Sequence, residues 1–399
     1  MGRRFPRINQ TVLAVFLLAS VPILIGGAVV ALLVGQSHMR EFYGNHLGNI
    51  AQQTAAVVDG YIYRKILDVA VLGRTPDVRR EAQASSARPY DKAAVSALDE
   101  QWRRSGQVPI PLAGIFENSA SRYLADVVVQ NQIYRELLLT DRQGRLIAAS
   151  NRVTDFDQAD EDWWKASSDD GLHGRVSVTD VRWDDSSRSL ALEVAVPISE
   201  PGGDRLAGVL KAVIDARELL ASVAGLQPGT TGQATLLRRN GSIVFSRTAS
   251  DPNARFFATR ELADGLERLK GRQGQGDERF YFRADTADGE PNVVGVAPSQ
   301  LSRSYPNVSW LVAVSQAEHE VLAPMRTLVW YLLALVAVTL CFVLALALWF
   351  SMRLAKPAHD VGMDLVEHRP VSRMPDTGEE DLPAEQPEPA RRMTAGGKR

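Results

Sequence analysis

One cysteine stands in this chain of 399 residues, Cys341, and it lies inside an apolar run. An intrachain disulfide needs two thiols and a cysteine zinc site needs several, so neither belongs to this protein. A surplus of basic charge is also missing: 45 Lys and Arg stand against 47 Asp and Glu. A nucleic-acid binder normally carries a concentrated basic face, so no nucleic-acid partner is expected. The six histidines form no H-E-x-x-H, and the chain holds no G-x-S-x-G elbow and no G-x-x-x-x-G-K-[ST] loop. No catalytic residue, metal or cofactor is therefore expected, and the chain does not read as an enzyme. The most telling absence is local. From Thr11 to Gly35, and again from Thr327 to Met352, there is no charged residue.

Each of these two runs exceeds the roughly 20 apolar residues that span a bilayer core of about 30 Å. They are read as transmembrane helices at 11–35 and 327–352. Trp330, Tyr331 and Trp349 lie near the ends of the second, where amphipathic rings favour the headgroup layer. Arg3, Arg4 and Arg7 precede the first span and Arg353 and Lys356 follow the second. The positive-inside rule then places residues 1–10 and the C-terminal tail in the cytoplasm and 36–326 outside the cell membrane. The first run is longer than a cleavable signal core, which favours a retained anchor.

Between the spans, Leu47, Ile50, Ala51, Thr54, Val58, Ile62, Ile66, Val69 and Leu72 recur mostly at steps of three or four. This is the period of one long amphipathic helix, a stalk at 36–80 whose simplest partner is the same helix of a second subunit. Gly73 and Pro76 are its stop signals. A helical connector follows over 81–106. Two strands then flank Asp141-Arg-Gln-Gly144, and Ser189–Pro197 and Leu206–Ile214 flank a turn at Pro201–Asp204. The design recurs about 100 residues later: Leu139–Ser150 aligns with Leu236–Arg247, Val194–Pro197 with Val293–Pro298, and Val209–Val213 with Trp310–Val314. A period this long marks a duplicated domain. The fold class is α+β, with two antiparallel-sheet modules at 81–225 and 226–326 behind the stalk.

With these pieces in order, the outer segment resembles a double Cache sensor domain, the PAS-like extracellular module of bacterial chemoreceptors and membrane-bound sensor kinases. The resemblance rests on the long first helix, on Asp160-Glu-Asp-Trp-Trp-Lys-Ala166, and on Leu192-Glu-Val-Ala-Val-Pro197 followed by Gly208-Val-Leu-Lys-Ala-Val-Ile-Asp215. The duplicated hairpins and the strand at Trp310–Val314 complete it. It implies that a small ligand binds the membrane-distal module, in a pocket that includes Phe156, Glu161, Trp163, Trp164, Asp180 and Asp215. Indole faces beside carboxylates attract cations, and Asp215 suits an ammonium group. Family members that bind amino acids carry an arginine two residues before the tryptophan, where this chain has Glu161, and a tyrosine where it has Phe156. An amine, another cation or a neutral ring is thus favoured over an amino acid. Trp163 and Trp164 equally suit a core role, Asp180 and Asp215 a turn or cap, and Glu161 a helix N-terminus. The second copy has Gln316 at the position of Asp215 and no tryptophan pair, so it reads as structural.

Beyond the second span, Leu354, Ala358, Val361 and Leu365 keep a coiled-coil spacing. Residues 353–382 resemble a partial HAMP relay segment, and prolines at 383, 387 and 389 introduce a disordered tail over 383–399. The expected protein is a membrane-bound small-molecule sensor, a homodimer through stalk and membrane helices, that signals to a cytoplasmic partner in trans. The alternative is a membrane scaffold or assembly protein whose outer domain binds another protein.

Overall fold

The computed structural model describes residues 10–354 apart from 169–172, 185–187, 204, 248–258, 271–278 and 286–288. The expected HAMP segment past Leu354 and the tail lie outside the described residues.

Helix α1 (Gln10–Gly73) runs through 64 residues without a break, passing Pro22. It carries the first apolar run and then the stalk. At its far end Arg74 and Thr75 donate back to the carbonyls of Val71 and Leu72, and Pro76 opens α2 (Pro76–Ser86). A proline fits the first helical turn because the N–H it lacks there has no partner to lose. Helix α3 (Lys92–Ser105) is capped by Asp91, whose carboxylate accepts the N–H groups of Ala93 and Ala94, and is closed by Gly106 in the left-handed region. A 3-10 turn (Ile110–Phe116) and α4 (Ser119–Gln130) lead into the first sheet.

That sheet comprises β1 (Tyr134–Asp141), β2 (Leu146–Ala149), β3 (Ser177–Val178), β4 (Arg182–Asp184), β5 (Ser189–Ser199) and β6 (Leu206–Asp215). Its order is β2-β1-β6-β5-β3, with β4 also on β5, and every pair is antiparallel. Between β2 and β3 sits the short α5 (Asp162–Ser168), and α6 (Arg217–Ala224) follows β6. The second sheet comprises β7 (Gln233–Arg238), β8 (Ile243–Ser246), β9 (Phe280–Asp285), β10 (Pro291–Pro298) and β11 (Trp310–Ala317), in the order β8-β7-β11-β10-β9. Helix α7 (Thr259–Lys270) lies between β8 and β9. The last strand passes through α8 (Glu318–Val321) into α9 (Ala323–Leu354), which contains the second apolar run.

The duplication is exact enough to repeat an irregularity. The β1–β2 ladder slips between Leu139 and Thr140, and the β7–β8 ladder slips between Leu236 and Leu237. Both hairpins turn on a glycine at positive φ, Gly144 at 88° and Gly241 at 81°. An L side chain is strained there, so glycine is required. Matching strands occupy matching places in the two sheets, as a doubled PAS-like unit demands.

One face of both sheets packs on the stalk. Leu47, Val58, Ile62 and Val69 of α1 join Leu139, Leu192 and Leu210 of the first sheet and Leu236, Val293 and Val312 of the second in a continuous core. At Gly295 the contact is backbone to backbone, for a β-carbon there would stand 2.2 Å from the Gly48 nitrogen. The opposite faces have separate cores, capped in the second module by Leu262 and Leu266 of α7. In α1 Leu18, Ile23 and Leu33 are exposed, and in α9 Leu335, Val338 and Phe342, side chains that lipid accommodates and water does not. Two helices long and apolar enough to cross a membrane therefore flank the double-sheet domain.

Candidate functional site

The far face of the first sheet, turned away from the stalk, is aromatic. Trp102 of α3, Phe116, Phe156, Trp163 and Trp164 gather there over Leu138, Leu146, Ala195 and Val209. Helix α3 delivers Trp102 because Val95, Leu98 and Trp102 fall on one helical face and Gly106 returns its N–H to the Trp102 carbonyl at 2.9 Å. The segment carrying Phe156 is fixed from both sides. Asp99 of α3 accepts the N–H groups of Phe156 (2.8 Å) and Asp157 (3.0 Å), and the Phe156 carbonyl accepts Leu146 N–H at 2.9 Å.

Arg103 gathers the carboxylates that surround this segment. Its guanidinium lies 2.8 Å from Asp99, 3.4 Å from Asp160 and 3.8 Å from Asp155. Burial pushes the Asp155 carboxyl above its ordinary value and Asp99 adds to the rise, while Arg103 offsets part of it.

Beneath α5 the sheet is charged. The Lys211 ammonium stands 5.0 Å from the centre of the Trp163 ring and 2.8 Å from Glu193, and Arg182 reaches the second oxygen of Glu193 at 2.9 Å. Lys211 and Glu193 are both buried. Glu136 and Glu193 each pair with Val213, from strands on its two sides. The buried indole N–H groups of Trp102, Trp163 and Trp164 and the Ser167 hydroxyl find no hydrogen-bond partner among the described residues. Separately, α2, α3, the 3-10 turn and β2 line an open cavity of about 570 Å³, which shares Phe156 with the aromatic cluster but none of its tryptophans. Arg88, Asp91 and Arg145 stand among its lining with Val95, Leu112 and Phe156. Such a volume falls within the range of small-molecule pockets. Among the described residues no group of three or more His, Cys, Asp or Glu could hold a metal ion.

The six residues singled out from the sequence fall into two groups. Phe156, Trp163 and Trp164 meet in the aromatic cluster, and Glu161 lies at the threshold of α5, its carbonyl accepting Lys165 N–H at 3.0 Å. Asp215 is engaged elsewhere: its carboxylate accepts from Arg135 and from both the backbone and side chain of Arg217. Burial alone would raise its pKa, but these bonds outweigh it and hold Asp215 below the usual range. Asp180 faces the second module, accepting the Trp310 indole N–H at 2.7 Å and the Arg238 guanidinium. Trp102, Lys211 and Glu193 were not singled out. A lysine and a glutamate inside the apolar strands Leu206–Asp215 and Ser189–Ser199 were the available signal, since strands buried on both faces are normally apolar throughout.

A family model described as Cache domain matches residues 38–325. Among solved structures, the chain is similar to the ligand-binding domain of the Pseudomonas fluorescens chemoreceptor CtaA in complex with L-isoleucine, at 15% identity and TM-score 0.44 over 72% of this chain and 98% of that one. It is similar to the Pseudomonas aeruginosa chemoreceptor PctC domain in complex with GABA, at 17% identity and TM-score 0.44 over 68% and 99%. The extracellular domain of a putative histidine kinase, rpHK1S-Z16, matches at 15% identity and TM-score 0.40 over 73% and 98%. No curated protein matches the chain.

Proposed function

This chain belongs to the Cache domain family, and on that premise we propose that it is a membrane-bound, non-catalytic sensor whose small-molecule ligand binds the far face of the first sheet. The observation that carries the site is the set of buried indole N–H groups of Trp102, Trp163 and Trp164 beside an apolar wall. A buried donor without an acceptor costs about 1–3 kcal/mol, a cost that a ligand bearing acceptors relieves. Of an amine, another cation or a neutral ring, the neutral ring with acceptor atoms fits these groups best. Lys211 already stands where a ligand cation would meet Trp163, and Asp180 and Asp215 are engaged by arginines. Glu161 disfavours the carboxylate of an amino acid.

The output follows the chain. Asp180 lies two residues after β3 and holds the first residue of β11, the strand that continues through α8 into α9. A ligand that moves α5 and β3 shifts this contact, and small displacements of packed elements are the usual currency of such relays. In this reading both termini are cytoplasmic, the subunits pair along the stalk, and a cytoplasmic partner reads the membrane helices.

Thermal unfolding of the full chain in nanodiscs, against neutral heterocycles, amines and amino acids, tests the proposal. Neutral rings are expected to raise the melting temperature, and Trp163→Leu to abolish the rise. A response to amino acids alone overturns the ligand class, and the absence of any response overturns the site.

A further inference from the structure

We propose that Glu318 is a positioning residue that locks the second module to the stalk beside the membrane, so that the roots of α1 and α9 in one subunit move as a single body. Glu318 opens α8 and is buried, and its two oxygens are held from different elements. Arg40 of α1 donates to Oε1, and Arg283 of β9 lies 2.9 Å from Oε2. Arg40 stands just past the first apolar run, roughly 8 Å along the helix from Gly35. A buried carboxylate is costly to strand, so it stays with its guanidinium partners. The rest of α8 is tied down beside it. Glu320 accepts the N–H groups of Thr230 (2.8 Å) and Thr231 (2.9 Å) and the Thr231 hydroxyl, whose oxygen accepts Ala317 N–H at 3.0 Å. These bonds, that of the Thr231 hydroxyl first, hold the Glu320 carboxyl down to about 2 and keep it ionised at physiological pH. The loop from α6 to β7 is thereby fastened to the turn that leads into α9.

The stalk cannot slide past this joint. A β-carbon at Gly44 would stand 2.3 Å from the Tyr281 ring, and one at Gly295 would stand 2.2 Å from the Gly48 nitrogen. Slipping α1 by one turn in either direction sets Arg40 against Tyr281 or Gln52 against Gly295, where the space takes only a glycine. Further along, Asn49 accepts from Arg279, and Asp59 accepts the Ser299 hydroxyl and Gln300 N–H. The glycines thus fix α1 to the second sheet, and Glu318 fixes the root of α9 to α1. On the membrane side of the joint, a β-carbon at Gly35 would stand 2.8 Å from the Met325 Cε, so the two helices touch there. Motion that reaches the second module therefore carries both roots together. It is read against the membrane or a partner subunit, not by one helix sliding past the other. The use of the lock rests on the sensor reading, whereas its geometry does not.

The test is cross-linking of the full chain in nanodiscs, in a Cys341→Ser background and with no ligand added, so that a failure of the ligand site leaves it untouched. Met325→Cys is paired in turn with Ala31→Cys, Gly35→Cys and Met39→Cys, about one helical turn apart. Mass spectrometry of the monomer band follows the intrachain disulfide formed under mild oxidation. The 35–325 pair is expected to form at least tenfold faster than 31–325 or 39–325. Glu318→Gln should narrow that ratio to threefold or less. Arg40→Ala, which leaves Glu318 paired with Arg283 and so strands no buried charge, should narrow it as well. Arg40→Lys should keep most of it, and Arg283→Ala, which spares the bond to the stalk, should leave it unchanged. Equal rates for the three pairs in the parent chain, or a ratio that neither Glu318→Gln nor Arg40→Ala alters, overturns the proposal.

Discussion

Replacing Asp180 by alanine removes two contacts of unequal weight. Trp310 is 1% exposed, so the indole N–H that donates to Asp180 would be left buried without an acceptor, at about 1–3 kcal/mol. The ion pair to Arg238 contributes less. Both side chains are about one third exposed, which limits the pair to roughly 1 kcal/mol or below. Arg238 also keeps the Val181 carbonyl at 3.1 Å, so its charge is not stranded. The sum is about 1–4 kcal/mol, borne where Trp310 joins the continuous core to Asp180. Each 1.4 kcal/mol is a factor of ten in an equilibrium, so local opening should rise at least about 5-fold, and roughly 30-fold for a cost of about 2 kcal/mol. Hydrogen exchange of the full chain in nanodiscs reads this in peptides covering 177–184 and 310–317. Asp180→Asn keeps an acceptor for the indole and should recover most of the protection. Unchanged exchange in the alanine variant, or equal losses in both variants, would refute this division of the energy between the two contacts.

Three further outcomes follow from the packing and the charges. A β-carbon at residue 295 would meet the Gly48 nitrogen at 2.2 Å, so Gly295→Ala should cost roughly 3 kcal/mol and lower the melting temperature by several degrees, whereas Gly289→Ala meets no neighbour within 4 Å and bears only its positive φ. The raised Asp155 carboxyl makes its ionised form a cost at neutral pH. Asp155→Asn should therefore stabilise the chain at pH 7, with the gain shrinking as the pH falls through the raised folded-state value and gone below the ordinary value near 3.8; a constant gain at all pH would deny that origin. On the stalk, Val57, Leu67 and Val71 are more than half exposed at helical spacing, so Leu67→Cys should cross-link two subunits under mild oxidation in membranes, and a wholly monomeric product would contradict pairing along this face.

Much of the architecture was legible because its signals are local. The Asp141–Gly144 and Arg238–Gly241 turns announce their own positive φ, and the three- and four-residue steps from Leu47 to Leu72 describe a helix before any partner is known. The aromatic half of the candidate site was legible for the same reason, through adjacent tryptophans on a short helix. Asp180 and Asp215 could not be placed this way. Asp215 takes Arg217 two residues on, but its other arginine and both partners of Asp180 lie 80, 58 and 130 residues away in sequence, and no local pattern shows which of these reaches which acid. Lys211 and Glu193 were written in the strands in plain view, yet a pair of opposite charges on neighbouring strands is recognised only once β5 and β6 are in register. Trp102 was hidden by its setting, a lone ring in a helix otherwise rich in Ala, Ser and Arg.

The central claim is that the aromatic face over Lys211 receives a small molecule. A density map of the full chain purified from its native host tests it most directly. The account predicts compact density within hydrogen-bond reach of the Trp102, Trp163 or Trp164 indole nitrogens. Side chains closed upon one another there, with a ligand held elsewhere in the molecule, would contradict it.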